Sequence, residues 1–157
     1  CRLQAPTSME IPNVKFTVLT TSRGFAQRTL SSYERLLLIF FENDFLESSG
    51  ADLQIISKTV GQFTARGCQV LPGSCDSAFC HYNWSKRPAK EGGVGRLECE
   101  LFADNAKKLA RSFGVLQETG VARRAMFLLE KGKVAFEPKQ ELEVAKQLEA
   151  VLEYLAK

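Results

Sequence analysis

Six side chains of this 157-residue sequence could carry nucleophilic, redox or metal chemistry. They are the single histidine, His81, and the cysteines Cys1, Cys68, Cys75, Cys80 and Cys99. The cysteine count is odd, no C-x-x-C pair occurs, and a chain of this length can build a core without cross-links. We therefore expect reduced thiols in an intracellular protein, either cytoplasmic or mitochondrial.

The spacing of these residues gives little support to a site built from them. Cys75 and Cys80 form a C-x4-C pair, looser than the pairs of structural zinc sites, so no metal site is predicted. Cys80 and His81 are neighbours, and neighbouring side chains point apart on a helix or a strand. Cys68 and Cys75 are expected to pack as small apolar residues in or near strands. A weak thiol redox or peroxide-sensing role for Cys75 or Cys80 stays open as an alternative.

Composition excludes several classes of function. The formal net charge is only +3, and acidic and basic residues alternate along most of the chain, so no nucleic-acid partner is predicted. The longest apolar run, residues 36–41, is far too short to span a membrane. The Gly-Gly-Val-Gly stretch at residues 92–95 lacks the ending of a phosphate-binding loop, so no nucleotide and no other cofactor is predicted.

The first half of the chain shows two strand patterns and one clear helix. Residues 14–20 alternate in hydropathy, and residues 35–41 form the apolar run of a strand buried on both faces. Residues 50–66 carry apolar side chains at helical spacing, and Gly67 follows as a C′ glycine would. Residues 68–71 read as a second short strand.

The second half predicts alternating helices and strands, ending on a helix. Residues 78–85 form a helical turn, residues 97–103 an extended segment, and residues 104–113 a helix that Asp104 caps. A hairpin joins residues 125–129 to 134–136, and an amphipathic helix follows, with its apolar face at Leu142, Ala145, Leu148, Leu152 and Leu155. This order predicts one α/β domain over residues 1–157 with a central mixed sheet flanked by helices, after an irregular lead-in at residues 1–13.

The segment S-C-D-S-A-F-C-H-Y-N-W at residues 74–84 is the most specific motif of the chain. It is similar to the pattern S-x-D-S-x-F-x-H-x-x-W of the typical two-cysteine peroxiredoxins, the family of thiol-specific antioxidants and alkyl hydroperoxide reductase C. Further segments that resemble this family lie at residues 30–33, 36–41, 88–95, 103–116 and 124–129. The resemblance implies a thioredoxin-like fold of peroxiredoxin type.

The loop that carries the family's reactive cysteine departs from the family pattern, P-x-x-x-T-x-x-C. Those three positions are Glu42, Leu46 and Ser49 here, while Arg124 matches the arginine that supports the family's active site. The family's resolving cysteine lies in a C-terminal V-C-P tail, which the sequence to Lys157 does not contain. The resemblance therefore identifies a degenerate member without the peroxidatic cysteine, and no enzyme activity is expected.

Chemistry supports that expectation. A serine hydroxyl is far less acidic than a thiol and needs a paired base, and the leucine and the glutamate replace a hydroxyl and a proline with groups that do not assist it. Ser49, or Ser48 beside it, is expected to be a helix N-cap. Arg124 is expected to pair with Asp52, Glu47 or Asp44 in an acidic loop.

The predicted function is a catalytically inactive, peroxiredoxin-like structural or protein-interaction module, perhaps a subunit of a larger assembly. Holdase chaperone activity, which the resemblance implies for some family oligomers, is a further possibility. The resemblance also implies self-association through the edge strand at Val134 and Phe136, so a homodimer is expected. The candidate surface for another protein lies around Phe79 and Trp84.

Overall fold

The structure, a computed structural model, describes residues 13–157. Within that range the strands are β1 (Lys15–Leu19), β2 (Phe25–Thr29), β3 (Arg35–Phe40), β4 (Gln69–Ser74), β5 (Leu101–Ala103), β6 (Ala125–Glu130) and β7 (Lys133–Phe136). The helices are α1 (Glu47–Thr64), α2 (Ala78–Lys86), α3 (Lys108–Ser112) and α4 (Val144–Leu155). Single-turn 3-10 helices lie at Leu30–Ser32 and Ala89–Glu91.

All of these strands join one mixed sheet in the order β2-β1-β5-β4-β3-β6-β7. The central pairs, β3 with β4 and β4 with β5, are parallel, and the outer pairs are antiparallel. The predicted mixed α/β sheet is thereby confirmed. Strands β3 and β6 are antiparallel neighbours, and Phe40 at the end of β3 pairs with Ala125 at the start of β6. The loop after β3 and the residue before β6 therefore lie next to each other at the same end of these strands.

Alternate side chains of β3 divide the interior into two cores. Leu36, Leu38 and Phe40 face the side that α3 and residues 113–122 cover. Leu37 and Ile39 face the other side, which α1, α2 and α4 cover. A strand buried on both faces reads as a continuous apolar run, which is why β3 could be recognised from sequence.

Helix α1 ends in a Schellman motif with Gly67 at the C′ position, where the sequence analysis placed it. The N–H of Cys68 bonds to the carbonyl of Phe63 at 3.0 Å, and the N–H of Gly67 bonds to the carbonyl of Thr64 at 3.0 Å. Gly67 has φ of +70°, which a residue without Cβ adopts at no steric cost. The cap directs the chain from α1 straight into β4.

Several elements differ from the sequence-based expectation. Strand β2 was not predicted, because as an edge strand it has no regular apolar face. Helix α3 starts at Lys108, although the Asp104 carboxylate still caps it by accepting from the N–H groups of Leu109 and Ala110 at 3.0 and 2.7 Å. Residues 97–103, expected to be a third strand or an extended segment, contain the strand β5 at residues 101–103. Helix α4 begins after Leu142 and leaves Ala145 exposed; its buried side chains are Val144, Gln147, Leu148 and Val151.

Among residues 13–157, no helix combines the length and the hydropathy that a membrane-spanning segment requires. The predicted lead-in at residues 1–13 lies outside the described residues except for Asn13. The Asn13 side chain bonds to Ser31 through both its amide nitrogen, at 3.0 Å, and its carbonyl oxygen, at 3.1 Å.

Candidate functional site

The candidate site lies where the loop after β3 meets the start of β6. Glu42 and Leu46 are exposed in that loop, and Ser49 is buried in the first turn of α1, with 5% of its surface exposed. Arg124 directly precedes β6, and the pairing of Phe40 with Ala125 brings it to the same edge. Ser49 and Arg124 line one small cavity between the sheet, α1 and α4. The structure thus brings together Ser49 and Arg124, as the sequence predicted.

Ser49 does not cap α1, contrary to the prediction. The residue at the N-cap position is Leu46, with extended backbone (ψ 133°) and no side-chain cap bond. An N-cap residue has extended backbone and lies just before the helix, whereas Ser48 and Ser49 are already helical. The helix thus begins three residues earlier than the predicted start at residue 50. Glu47 in the first turn places a negative charge near the positive end of the helix dipole.

The cavity at Ser49 is almost filled. Its volume is about 10 Å³, about the minimum for one water molecule. Its walls are mainly apolar side chains from β3 and α1, together with Asp52, Arg124 and Gln147. Among the described residues, neither a cysteine nor a histidine lines it.

Arg124 is occupied by two acceptors. Its Nη1 lies 3.4 Å from Oδ2 of Asp52, and its Nη2 donates to the carbonyl oxygen of Leu142 at 2.6 Å. Of the three carboxylates expected for this arginine, Asp52 is the partner. Burial raises the pKa of Asp52, and the Arg124 charge opposes that rise. The Nη1 and Nη2 groups of the guanidinium therefore each donate to another residue of the same chain.

A buried, hydrogen-bonded aspartate–histidine pair that was not expected from the sequence lies beside this loop. Asp44, which the sequence analysis placed in an acidic loop, is 7% exposed, and its Oδ2 lies 2.5 Å from Nδ1 of the fully buried His81. The other ring nitrogen, Nε2, donates to the carbonyl of Phe102 at 2.8 Å. A carbonyl only accepts, so Nε2 carries a hydrogen, and one further proton lies between Nδ1 and Oδ2. This pair connects the loop, α2 and β5.

A second carboxylate, Asp76, completes the network around Asp44. Its Oδ2 accepts from the backbone N–H of Asp44 at 2.7 Å and from the Ser74 hydroxyl at 3.3 Å. Potential ligand atoms of Asp44, Asp76 and Cys80 lie within 4.8 Å of one another. Both carboxylates already accept hydrogen bonds from other residues of the chain. These bonds hold the loop in position, and we do not infer a cation site here.

Neither of the two candidate redox thiols lies in an environment that favours the thiolate. Burial raises the pKa of Cys75 to about 11, and the charge of Asp104 adds to the rise. Burial and the charges of Asp44 and Asp76 raise the pKa of Cys80 to about 12. His81 points into the core while Cys80 is half-buried, so the two are not a catalytic dyad. Thiolates are the reactive form of cysteine, and these environments suppress them.

The other described cysteines are packed in the interior. Cys68 and Cys99 are 1% and 7% exposed, and burial raises their pKa values to about 11 and about 12. All four cysteines among residues 13–157 are free thiols, and Cys1 lies outside the described residues.

The predicted interaction residues divide into surface and core. Phe79 is 70% exposed, but Trp84 is 1% exposed, so the prediction of a surface tryptophan was wrong. Trp84 faces inward because α2 places Ala78, His81 and Ser85 on the same buried side. Val134 is also buried, and Phe136 stacks on Tyr154 with ring centroids 4.7 Å apart. Strand β7 does lie at the edge of the sheet, as predicted.

The mixed sheet, the helices on its two faces and the loop at the start of α1 define a thioredoxin-like protein of peroxiredoxin type. Among solved structures, Plasmodium yoelii thioredoxin peroxidase I matches with a TM-score of 0.88 and 28% identity, over 94% of this chain and 87% of that one. Mycobacterium tuberculosis AhpC shares the fold, with a TM-score of 0.78 and 22% identity, over 94% of each chain.

Sequence comparison gives the family. The sequence model described as "AhpC/TSA family" matches residues 9–137. Peroxiredoxin 2 of Drosophila melanogaster is 35% identical over 109 residues, 68% of this chain and 56% of the relative. Peroxiredoxin-2 of Bos taurus is 32% identical over 133 residues, 83% of this chain and 66% of the relative. The chain belongs to the AhpC/TSA family, the peroxiredoxins, and spans little more than half the length of several of these relatives.

Proposed function

We propose that this protein is a peroxiredoxin-family member that does not reduce peroxides and instead acts as a structural or protein-interaction module. The observation that carries the proposal is that Ser49 is buried in the first turn of α1. The resemblance assigns the family's reactive cysteine to this position. Oxygen transfer from a peroxide needs a nucleophile that can be oxidised, and a serine hydroxyl supplies none.

The surroundings of Ser49 support the same conclusion. A serine nucleophile needs a base within hydrogen-bond reach, and the histidine that could serve is bound to Asp44 and to the Phe102 carbonyl. Leu46, which matches the threonine of the family pattern, is exposed and has no hydroxyl to offer. Glu42, which matches the proline, adds an exposed negative charge at the same loop.

Arg124 gives no evidence of a working anion site. In the proposed module its contacts with Asp52 and Leu142 hold the start of β6, α1 and the segment before α4 together. The pair is about one-third to one-quarter exposed, so its contribution is positional and its free energy small. With a cavity of about 10 Å³ beside it, no room is left for a hydroperoxide.

The alternative, a weak thiol redox or peroxide-sensing role through Cys75 or Cys80, finds less support. Both thiols have pKa values raised well above that of a free cysteine, and negative charges lie near both. Redox-sensing cysteines are exposed and have lowered pKa values. We therefore propose that the protein acts through interactions made by its surface. We also propose that it is an intracellular protein that forms at least a dimer.

Steady-state peroxide consumption tests the proposal. Purified protein is mixed with hydrogen peroxide or an alkyl hydroperoxide and a thiol reductant, with a thioredoxin peroxidase relative as the positive control. We expect no loss above the protein-free rate, and the Ser49→Ala variant should behave identically to the unmodified protein. Rapid, thiol-dependent turnover by the unmodified protein would contradict the proposal.

A further inference from the structure

A second and larger cavity lies at the opposite end of the central strands from Ser49. The candidate site is built where β3 ends and β6 begins, whereas this cavity lies where β3 begins and β6 ends. Its volume is about 260 Å³, and we call it the charged cavity. Its lining residues are Glu34, Arg35, Arg66, Gly67, Glu130 and Lys131.

Hydrogen bonds within the chain hold the walls of the charged cavity in place. The N–H of Lys131 donates to the carbonyl oxygen of Glu34 at 2.8 Å, which joins the turn after β6 to the start of β3. Arg35 connects β6 to the end of α1. Its Nε lies 3.2 Å from Oε1 of Glu130, and its Nη1 donates to the carbonyl oxygen of Arg66 at 3.1 Å. The shape therefore exists before a ligand arrives, which lowers the entropic cost of binding.

Three charged side chains of the cavity take part in no ion pair among residues 13–157. They are Glu34, Arg66 and Lys131, and all three are exposed. Arg66 donates from Nη1 to the carbonyl oxygen of Gln62 at 2.8 Å, and its Nε and Nη2 bind no other described group. The other two charged side chains of the cavity neutralise each other. Two cations and one carboxylate are thus available to a ligand.

These charges define the chemistry of the molecule that would complement them. It carries two carboxylates and one ammonium group. An arginine can bind a carboxylate through two parallel N–H donors, and a lysine ammonium binds one as a point charge. The volume limits the size, since ligand pockets for drug-sized molecules span about 300–1,000 Å³. The space suits an amino acid or a short peptide.

We propose that the charged cavity binds an acidic amino acid or a short acidic peptide. The two carboxylates of the ligand lie on Arg66 and Lys131, and its ammonium group lies on Glu34. The inference goes beyond the proposed function and does not depend on it, because no thiol and no group of the Ser49 cavity takes part.

A simple anion is the poorer occupant. Phosphate or a dicarboxylate would neutralise Arg66 and Lys131, but it would also face the carboxylates of Glu34 and Glu130. Like charges brought together in this way oppose binding. A ligand with its own ammonium group converts that repulsion into attraction, so the need for both signs of charge in one molecule is what distinguishes the proposal.

NMR titration of the whole ¹⁵N-labelled protein at pH 7 and low salt tests this chemistry with three peptides. Gly-Glu-Gly carries two carboxylates and one ammonium group, acetyl-Gly-Glu-Gly lacks the ammonium group, and Gly-Gln-Gly lacks one carboxylate. We expect saturable shifts for Gly-Glu-Gly at the backbone amides of residues 34–35, 66–67 and 130–132. Each of the other two peptides should bind about 5-fold more weakly. No saturable shift at these amides, or equal binding of the three peptides, would overturn the proposal.

Variants then assign the charges. Glu34→Gln should abolish the preference for Gly-Glu-Gly over its acetylated form, whereas a merely structural effect would weaken both peptides alike. Arg66→Gln and Lys131→Gln should each weaken Gly-Glu-Gly binding by about 5-fold. The matched controls are Glu118→Gln and Lys58→Gln, exposed charges that do not line the cavity, and they should leave the affinity unchanged. A preference that survives in Glu34→Gln, or equal losses in the controls, would overturn the assignment.

Two further measurements complete the test. Thermal melts should show that the variants fold, since the substituted side chains are exposed. L-glutamate distinguishes the two sources of the ligand chemistry. Binding as tight as that of Gly-Glu-Gly supports a free amino acid, and weaker binding supports a peptide. Peroxide turnover concerns the Ser49 cavity alone, so a failed titration in a protein inert toward peroxide overturns only the ligand site.

Discussion

Restoring a thiol at the buried position in α1 should not restore a reactive thiolate. In Ser49→Cys the sulfur would occupy a nearly filled cavity, in a helix turn that also carries Glu47 and Asp52. The cation among the described residues that line this cavity, Arg124, already donates to Asp52 and to the Leu142 carbonyl. The net charge of the arginine–aspartate pair is zero, so it cannot stabilise a new anion as a free arginine would.

The magnitude follows from comparing the two effects that remain. The helix dipole stabilises an anion in the first turn by about 0.3–1 kcal/mol, which is less than one pKa unit. Burial acts in the opposite direction, and in this fold it raises the pKa values of the buried Cys68 and Cys99 to about 11 and about 12. Burial therefore wins, and the introduced thiol should have a pKa at or above the ordinary value of about 8.5.

Titration of thiolate absorbance against pH, as the difference between variant and unmodified protein, measures this pKa. Ser48→Cys is the matched control, because it adds an exposed thiol in the same helix turn without the burial. Adding Asp52→Asn to Ser49→Cys should lower the pKa below that of the single variant, since Arg124 is then free to approach the sulfur. A pKa well below neutrality in the single variant would refute this account of the cavity.

Three further expectations concern the framework. His81→Leu should lower the free energy of unfolding by about 3–5 kcal/mol in urea, because it strands the buried Asp44, whereas Asp44→Asn should cost less. Gly73→Ala should lower the free energy of unfolding by more than about 2 kcal/mol, since its Cβ would lie 2.3 Å from the Phe102 carbonyl oxygen. The control Gly61→Ala has open space at the helical position and should raise the free energy of unfolding by about 0.5–1 kcal/mol in thermal melts. Light scattering should show at least a dimer, because β7 ends the sheet with an open edge, and a monomer at every concentration would contradict this.

The central strands and α1 could be predicted because their signals are local and strong. The apolar run of β3 indicates a strand buried on both faces. The helical spacing of apolar residues in α1 indicates a helix buried on one face. Strand β2 was missed because an edge strand is defined by its partner, β1, and the residues at 25–29 carry no apolar alternation of their own. The start of α4 was misplaced because Leu142 supplies its carbonyl to Arg124, a contact that no sequence window shows.

The candidate site was half visible in the sequence. Ser49 and Arg124 could be matched to a family pattern, and charge alone predicted a carboxylate partner for Arg124 without choosing among the three in the loop and α1. The Asp44–His81 pair could not, because it joins residues 37 positions apart and depends on how α2 packs against β5. One signal was available, since helical spacing from Ala78 and Trp84 places His81 on the buried face, where its ring nitrogens need hydrogen-bond partners.

The central claim, that this peroxiredoxin-family chain has no peroxidatic thiol, is tested most directly in a single turnover. The reduced protein is given one equivalent of hydrogen peroxide in the presence of dimedone, and every cysteine, including Cys1, is followed by peptide mass spectrometry. We expect no sulfenic-acid adduct to form faster than in the urea-unfolded chain, because the described thiols are less acidic when folded. Rapid, stoichiometric labelling of one cysteine in the folded protein would contradict the account.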